Sequence, residues 1–320
     1  MPSWRARASR GQSLRFREAP VSDGRKGSTP ATVSGRLPEN ESNACEPVTR
    51  RPAPMPDRRL HVELHCHTVA SMDGLMTFDS LVAVAARIGL DAVAITDHDT
   101  LEGAREFQRR ATERGLGLQI IAGEEKTLDD GSHLIGLFLE TPIASGDTAG
   151  AIDEIEGQGG LCLVPHPFRR KDGLFRDGLE RLRLFEGRHA GFELFSAKCS
   201  FEENRRAAEL LTASSLTPFG GSDAHYECDL GECMNEISDA GDLRASVGAM
   251  FERRAPFRIL GKPQSAGAGE RTYAPFYYKV KKYVRLPKFL VPAARQCYRR
   301  YRNLKQGVGP KLLREVYRHA

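Results

Sequence analysis

The chain has 320 residues, 40% hydrophobic and 28% charged, with mean hydropathy −0.43 and net charge +5, which suits a soluble globular body of one or two domains. No apolar run approaches the roughly 18 residues of a transmembrane helix, which excludes a membrane span, and no apolar core follows Arg5, Arg7, Arg10, Arg15 and Arg17, so no secretory signal and a cytoplasmic place are expected. Seven scattered cysteines without a C-x-x-C pair exclude a disulfide framework and a zinc ribbon.

Along the chain, residues 1–58 read as a disordered basic segment in which Ser, Pro, Gly, Asn and Arg dominate. This Arg/Ser-rich start also resembles an organellar transit peptide. Met55 stands just before the first strand, so residues 1–54 are expected to be an overextended reading of the gene. From His61 the chain alternates short apolar runs with helical periods. A strand at 61–64 precedes a helix over 78–88, and a strand at 92–95 precedes a helix over 101–114. After a strand at 118–122, only seven residues separate Glu125 from His133, too few for a helical crossover, so a hairpin turning at Asp129-Asp130-Gly131 is expected. A helix over 149–158, strands at 161–164 and 191–195, a helix over 201–213 and a last strand at 217–220 follow. This rhythm predicts an α/β fold, a closed and irregular β/α barrel over residues 59–262, with a basic, partly helical C-terminal extension over 263–320.

Charge divides the same way. Residues 1–59 sum to +6, residues 60–270 to −14 and residues 271–320 to +13. An acidic body between basic ends fits carboxylates gathered around cations and ends that meet something anionic; solvated charge is the other account.

The histidines gather at strand ends, the edge where β/α barrels build active sites. The first strand ends in His65-Cys66-His67, whose i and i+2 imidazoles share a face and can reach one ion, while Cys66 points the other way and reads as packing. The second ends in Asp97-His98-Asp99, where one aspartate is expected to cap the next helix and another to orient the imidazole. Gly123-Glu124-Glu125 ends the third, the hairpin returns His133 towards Glu125, and Pro165-His166-Pro167 ends the next. Asp223 and His225 follow Gly220-Gly221-Ser222, and Asp73 stands eight residues after His65, where a turn is its plainer reading. Five strand ends that each deliver nitrogen and oxygen donors point to a metal cluster.

These motifs, His65-Cys66-His67-Thr68 with Ser71 and Asp73-Gly74, Ile95-Thr96-Asp97-His98-Asp99-Thr100, Gly123-Glu124-Glu125, His133-Leu134-Ile135-Gly136, Pro165-His166-Pro167 and Gly221-Ser222-Asp223-Ala224-His225, resemble the PHP (polymerase and histidinol phosphatase) superfamily of metal-dependent phosphoesterases over residues 60–240. The resemblance implies a distorted seven-stranded barrel with two or three divalent ions, Mn, Fe or Zn. His65, His67, Glu125 and Asp223 would surround one ion, Glu125 would bridge to a second held by His133 and His166, and Asp73, His98 and His225 would hold a third. Some members carry histidine at the Asp73 position, and a carboxylate there favours Mn²⁺ or Fe²⁺. Others carry glutamate at the His133 position.

Such ions activate water, so a metal-bound hydroxide held by Glu125 and Asp223 is the expected nucleophile. Arg169 and Arg170, with Lys171, form the best placed cluster to grip a phosphate, with solvated surface as the alternative. Glu193 reads either as a partner that orients a ligand or as a polar barrel residue. The expected activity is hydrolysis of a phosphomonoester, a phosphorylated small molecule or a nucleotide/RNA-end phosphate. Alternatives are an amidohydrolase-like hydrolase, for which Lys126 would be the bridging lysine, and a non-catalytic metal-stabilised module that binds nucleic acid; the chain has no room for a replicative polymerase. In the extension, Tyr273, Tyr277, Tyr278, Lys279, Lys281, Lys282, Tyr298, Arg299, Arg300, Tyr301 and Arg302 interleave rings and cations, which suits single-stranded nucleic acid, an anionic membrane surface, or a helix laid on the acidic barrel.

Overall fold

In the computed structural model, residues 58–264 and 291–320 are described. The N-terminal segment assigned above to disorder, transit or overextension, and the ring-and-cation run at 271–290, lie outside them. The chain order is β1 (Arg59–Cys66), α1 (Phe78–Ile88), β2 (Ala92–His98), α2 (Glu102–Glu113), β3 (Gln119–Thr127), β4 (His133–Leu137), α3 (Thr148–Gly157), β5 (Leu161–Val164), a 3₁₀ turn at Glu180–Phe185, β6 (Ala190–Ser196), α4 (Phe201–Ala207), α5 (Leu210–Ala213), β7 (Thr217–Gly221), β8 (Cys233–Ser238), α6 (Leu243–Phe251), β9 (Phe257–Gly261), α7 (Val291–Gln306) and β10 (Arg314–His319). None of the described helices is long and apolar enough to cross a membrane.

Local chemistry sets the boundaries. Thr77 accepts the Ser80 N–H and Ser80 returns a bond to the Thr77 N–H, which starts α1; Gly89, at φ 72°, ends it in the left-handed conformation. Ser200 and Glu203 start α4 by the same reciprocal capping. The expected single helix over 201–213 is broken into α4 and α5 around Ala208 and Glu209. The expected hairpin forms, with Thr127 opposite His133 and Gly131 at φ 75° in the turn.

A closed seven-stranded barrel does not form. The ten strands among the described residues make one mixed, curled sheet in the order β10-β9-β8-β1-β2-β3-β4-β5-β6-β7, and the strand at 217–221 is followed by three more. The reason is that β8 pairs antiparallel with the free side of β1, the side a closing β7 would need. Two smaller sutures join β1 to the β7 end instead. Cys66 bridges Ala224, with the His67 N–H donating to the Ala224 carbonyl at 2.8 Å. The Asn235 side chain accepts the Gly220 N–H at 2.8 Å and donates to the carbonyls of Gly220 (2.8 Å) and Val62 (3.2 Å). Buried aliphatic and aromatic side chains from β1 to β9 fill the interior, and a second cluster under α1 and α2 includes Cys66. β4 runs opposite to β3 and β5, so its first residue, His133, reaches the same edge as the last residues of the parallel strands.

Candidate metal centre

Every donor singled out in the sequence reaches one mouth of the curled sheet. His65 and His67, two residues apart on β1, aim their Nε2 atoms at one point 3.1 Å from each other. Glu125 Oε2 lies 3.2 Å from the first and 3.1 Å from the second, and Asp223 Oδ1 lies 3.6 and 3.3 Å away. Donors held at about 2.1 Å around one tetrahedral ion stand about 3.4 Å apart, so these four atoms fit a shared cation. The other Glu125 oxygen, Oε1, is 2.8 Å from His133 Nδ1 and 2.9 Å from His166 Nε2. A third group forms at the rim, where Asp73 Oδ2 is 3.0 Å from His225 Nε2 and 3.6 Å from His98 Nε2. His67 joins Asp73, His98 and His225 in one group of possible ligands. The His98 Nδ1, buried and without a hydrogen-bond partner among the described residues, stands 3.6 Å from Glu125 Oε2. Glu125 thus lies between the three groups, with each oxygen committed to a different imidazole pair.

The electrostatics follow from burying so many ionisable groups together. Burial alone raises the carboxyl of Glu125, yet the imidazoles of His133, His65 and His98 outweigh it and hold it well below the usual carboxylate range. Asp223 behaves likewise through His65, Arg169 and His225. Burial pulls His67 down, but Asp223 and Glu125 push it up to about 10. His166 differs: burial and the Arg169 guanidinium lower it, which favours the neutral imidazole that binds metal.

The backbone is shaped around these side chains. His166 and Asp223 adopt φ of 29° and 48°, a region L residues rarely occupy. Glu193, buried on β6, places Oε1 3.0 Å from His65 Nδ1 and accepts the His166 N–H on Oε2 at 2.6 Å. One carboxylate thereby orients an imidazole and holds the strained backbone of another. Gly221 provides its room, since a Cβ there would lie 1.9 Å from Glu193 Oε1.

Two expectations are corrected. Neither Asp97 nor Asp99 caps α2, whose N-cap Leu101 makes no side-chain cap bond and whose Glu102 N–H is accepted by the Thr100 hydroxyl at 3.1 Å. Asp97 instead accepts the Thr68 N–H (2.6 Å) and hydroxyl (2.7 Å) and so fixes the turn after His67, while Asp99 accepts the Thr127 N–H at 3.0 Å. Arg169 and Arg170 also part company. The Arg169 guanidinium donates to Asp223 Oδ2 at 2.6 Å and sits 3.0 Å from His166 Nε2, whereas Arg170 and Lys171 point to solvent.

Sequence reasoning missed Asp172. It is buried, accepts the Arg169 Nε–H at 2.5 Å, lies 3.5 Å from His166 Nδ1, and its carbonyl accepts the His133 N–H at 3.0 Å. Its place six residues after His166, in an irregular loop, carries no periodic signal. Asp229 was missed for the same reason; it is buried and pairs with Lys198 at 2.7 Å.

Comparison with known proteins agrees with this geometry. The sequence profile of the PHP domain matches residues 63–213 and that of the PHP-associated region matches residues 201–248. An uncharacterised protein of Methanocaldococcus jannaschii is 31% identical over 149 residues, which cover 43% of this chain and 82% of that one. The chain belongs to the PHP family. Solved structures share its PHP fold. A two-domain protein of Bacteroides vulgatus containing a predicted PHP-like metal-dependent phosphoesterase superposes with a TM-score of 0.51 at 23% identity, covering 66% of this chain and 69% of its own. A lesion-specific endonuclease of Pyrococcus furiosus superposes with a TM-score of 0.52 at 16% identity, covering 79% and 74%. The PHP profile takes in all the donors from His65 to His166 and ends before Asp223 and His225.

Proposed function

We propose that this PHP chain is a metal-dependent phosphoesterase that hydrolyses a phosphomonoester or a nucleotide/RNA-end phosphate. The observation that carries the reading is Glu125, which turns one oxygen to His65 and His67 and the other to His133 and His166, as a carboxylate shared between two cations does. The residues that would hold the ions are His65, His67, Glu125 and Asp223 for one, Glu125, His133 and His166 for a second, and Asp73, His98 and His225 for a third. Divalent ions of the Mn, Fe or Zn class, when bound there, polarise a phosphoryl group and activate water.

The chain's own side chains do the rest. Arg169, partly exposed and fixed by Asp172, presents its guanidinium at the edge of the cluster, where it binds phosphoryl oxygens and offsets their charge. Glu193 and Asp172 hold His65 and His166 in place. Cys66 lies in the core under α1 and α2, away from the mouth, and takes no part. Lys126 pairs with Asp99 at 3.5 Å, a position that supports structure more than the bridging role of the amidohydrolase alternative.

On α7, Arg299 and Arg302 are committed to carboxylates of the body and Arg295 to its carbonyls, which favours packing on the acidic body for this part of the extension over a nucleic-acid or membrane role.

The test is hydrolysis by the purified chain with Mn²⁺, Fe²⁺ or Zn²⁺ on nucleotides, histidinol phosphate and 5′-phosphorylated RNA oligomers. Turnover by the wild type, its loss in Asp223→Ala and His225→Ala, and a raised KM in Arg169→Met are the expected results. Equal turnover in Asp223→Ala overturns the proposal.

A further inference from the structure

Asp73 and His225 differ from the other donors in the centre. The rest stand at or directly beside strand ends, but Asp73 lies in the loop between β1 and α1 and His225 in the loop between β7 and β8. Both side chains are partly exposed, at 26% and 18%. Loops hold a ligand less exactly than strands unless something else fixes them.

That something is α7, which lies across both loops. Arg295 donates to the carbonyls of Met72 (2.6 Å) and Gly74 (3.1 Å), the two residues that flank Asp73. The Tyr298 ring meets Tyr226 edge-on at 5.8 Å, directly after His225. Arg299 pairs with Glu227, whose other oxygen accepts from Asn303 at 2.8 Å, and Asn303 also accepts the Cys228 N–H at 3.2 Å. Arg302 is 4% exposed; it pairs with Asp229 at 2.5 Å and stacks its guanidinium over Tyr226 at 4.9 Å. Asp229 in turn accepts the His225 N–H at 3.3 Å. The spacing 295, 298, 299, 302, 303 is one face of a helix, and this face reads both loops.

We propose that α7 is a positioning element for the cation site made by Asp73, His98 and His225, and that Arg295 and Arg302 set its affinity by clamping the two loops together. This rests on the metal-centre reading above. The clamp explains why a basic helix from the far end of the chain packs here. Arg295, Arg299 and Arg302 face carbonyls and carboxylates that are bonded to, or within two residues of, the ligand residues, and do not serve as a diffuse counter-charge for the acidic body.

The experiment uses the full chain, stripped of metal, as wild type, Arg295→Ala, Arg302→Met and Arg302→Lys. Stepwise Mn²⁺ titration by calorimetry gives the affinity of each site, with Asp73→Ala identifying the step that belongs to the third. Amide hydrogen exchange over residues 71–76 and 225–229 of the metal-free protein reports the clamp without any ion. The expected result is a loss of about 10- to 100-fold in the Asp73-dependent step alone, faster exchange in both loops, and partial recovery in Arg302→Lys. Equal weakening of every step, or unchanged exchange in Arg295→Ala and Arg302→Met, overturns the clamp. A wild type whose titration is identical to that of Asp73→Ala instead refutes the third site, and the exchange data then judge α7 alone. Arg295 is half-buried and among the described residues bonds through its side chain to backbone carbonyls, so its variant keeps the test valid where Arg302→Met fails to fold.

Discussion

Replacing Gly221 by alanine tests the logic of the centre at its tightest point. The new Cβ would sit 1.9 Å from Glu193 Oε1 and 2.9 Å from His65 Cβ, distances no relaxed structure tolerates. Glu193 has nowhere free to go, because its two oxygens are engaged by His65 Nδ1 and the His166 N–H inside a fully buried setting. Losing one such charge-assisted bond costs about 1.5–3 kcal/mol, and overpacking adds about 1–3 kcal/mol. Allowing for backbone relaxation, Gly221→Ala is expected to destabilise the metal-free protein by about 3–5 kcal/mol. Freed from Glu193, the His65 imidazole should also bind its cation about 10- to 100-fold more weakly. Urea unfolding and Mn²⁺ titration measure both quantities. Because the damage passes through Glu193, the double variant Gly221→Ala/Glu193→Ala should be little worse than Glu193→Ala alone. Strict additivity of the two substitutions, or a Gly221→Ala protein within about 1 kcal/mol of wild type, would refute the reasoning.

Burial raises Glu63 from 4.5 to about 7, against the opposing bonds from Ser222 and His65, so the folded protein holds its proton more tightly than the unfolded chain does. Its contribution is therefore present below about pH 4.5 and lost as pH rises through about 7, a change of about 3 kcal/mol in the metal-free protein; Glu63→Gln should flatten the stability profile between pH 5 and 8, and parallel urea-unfolding profiles would contradict this. With His67 pushed up to about 10, metal uptake at pH 8 must displace its proton. Calorimetry in buffers of different ionisation enthalpy should show proton release, with Mn²⁺ affinity rising with pH, and heats independent of buffer would count against it. Ser200→Ala removes the hydroxyl that accepts the Glu203 N–H at the start of α4 and keeps the backbone N–H bonded to the Glu203 carboxylate, and thermal unfolding should record a loss of about 1 kcal/mol while Mn²⁺ affinity stays at the wild-type value.

What could be read from the sequence was whatever has a short period or a chemical signature. The i, i+2 pairs His65/His67 and Asp223/His225, the Gly131 turn that returns His133, and the β/α alternation up to Gly221 depend on neighbours within about ten residues, and strand and helix periods report such neighbours directly. That the sheet stays open was not legible, because it depends on β8 taking the free side of β1 and leaving Asn235 to suture Gly220 to Val62, partners 15 and 173 residues away. Asp172 and Asp229, in irregular loops, show no pattern until the chain folds them against His166 and His225. The separation of Arg169 from Arg170, and the inward turn of Arg295, Arg299 and Arg302, are set by which carboxylates and carbonyls lie opposite each guanidinium. Sequence alone therefore determined which donors exist and on which edge they stand. Only tertiary structure decided which donors share a point in space, because convergence to about 3 Å is a property of contacts between distant segments, and local periodicity carries no information about those.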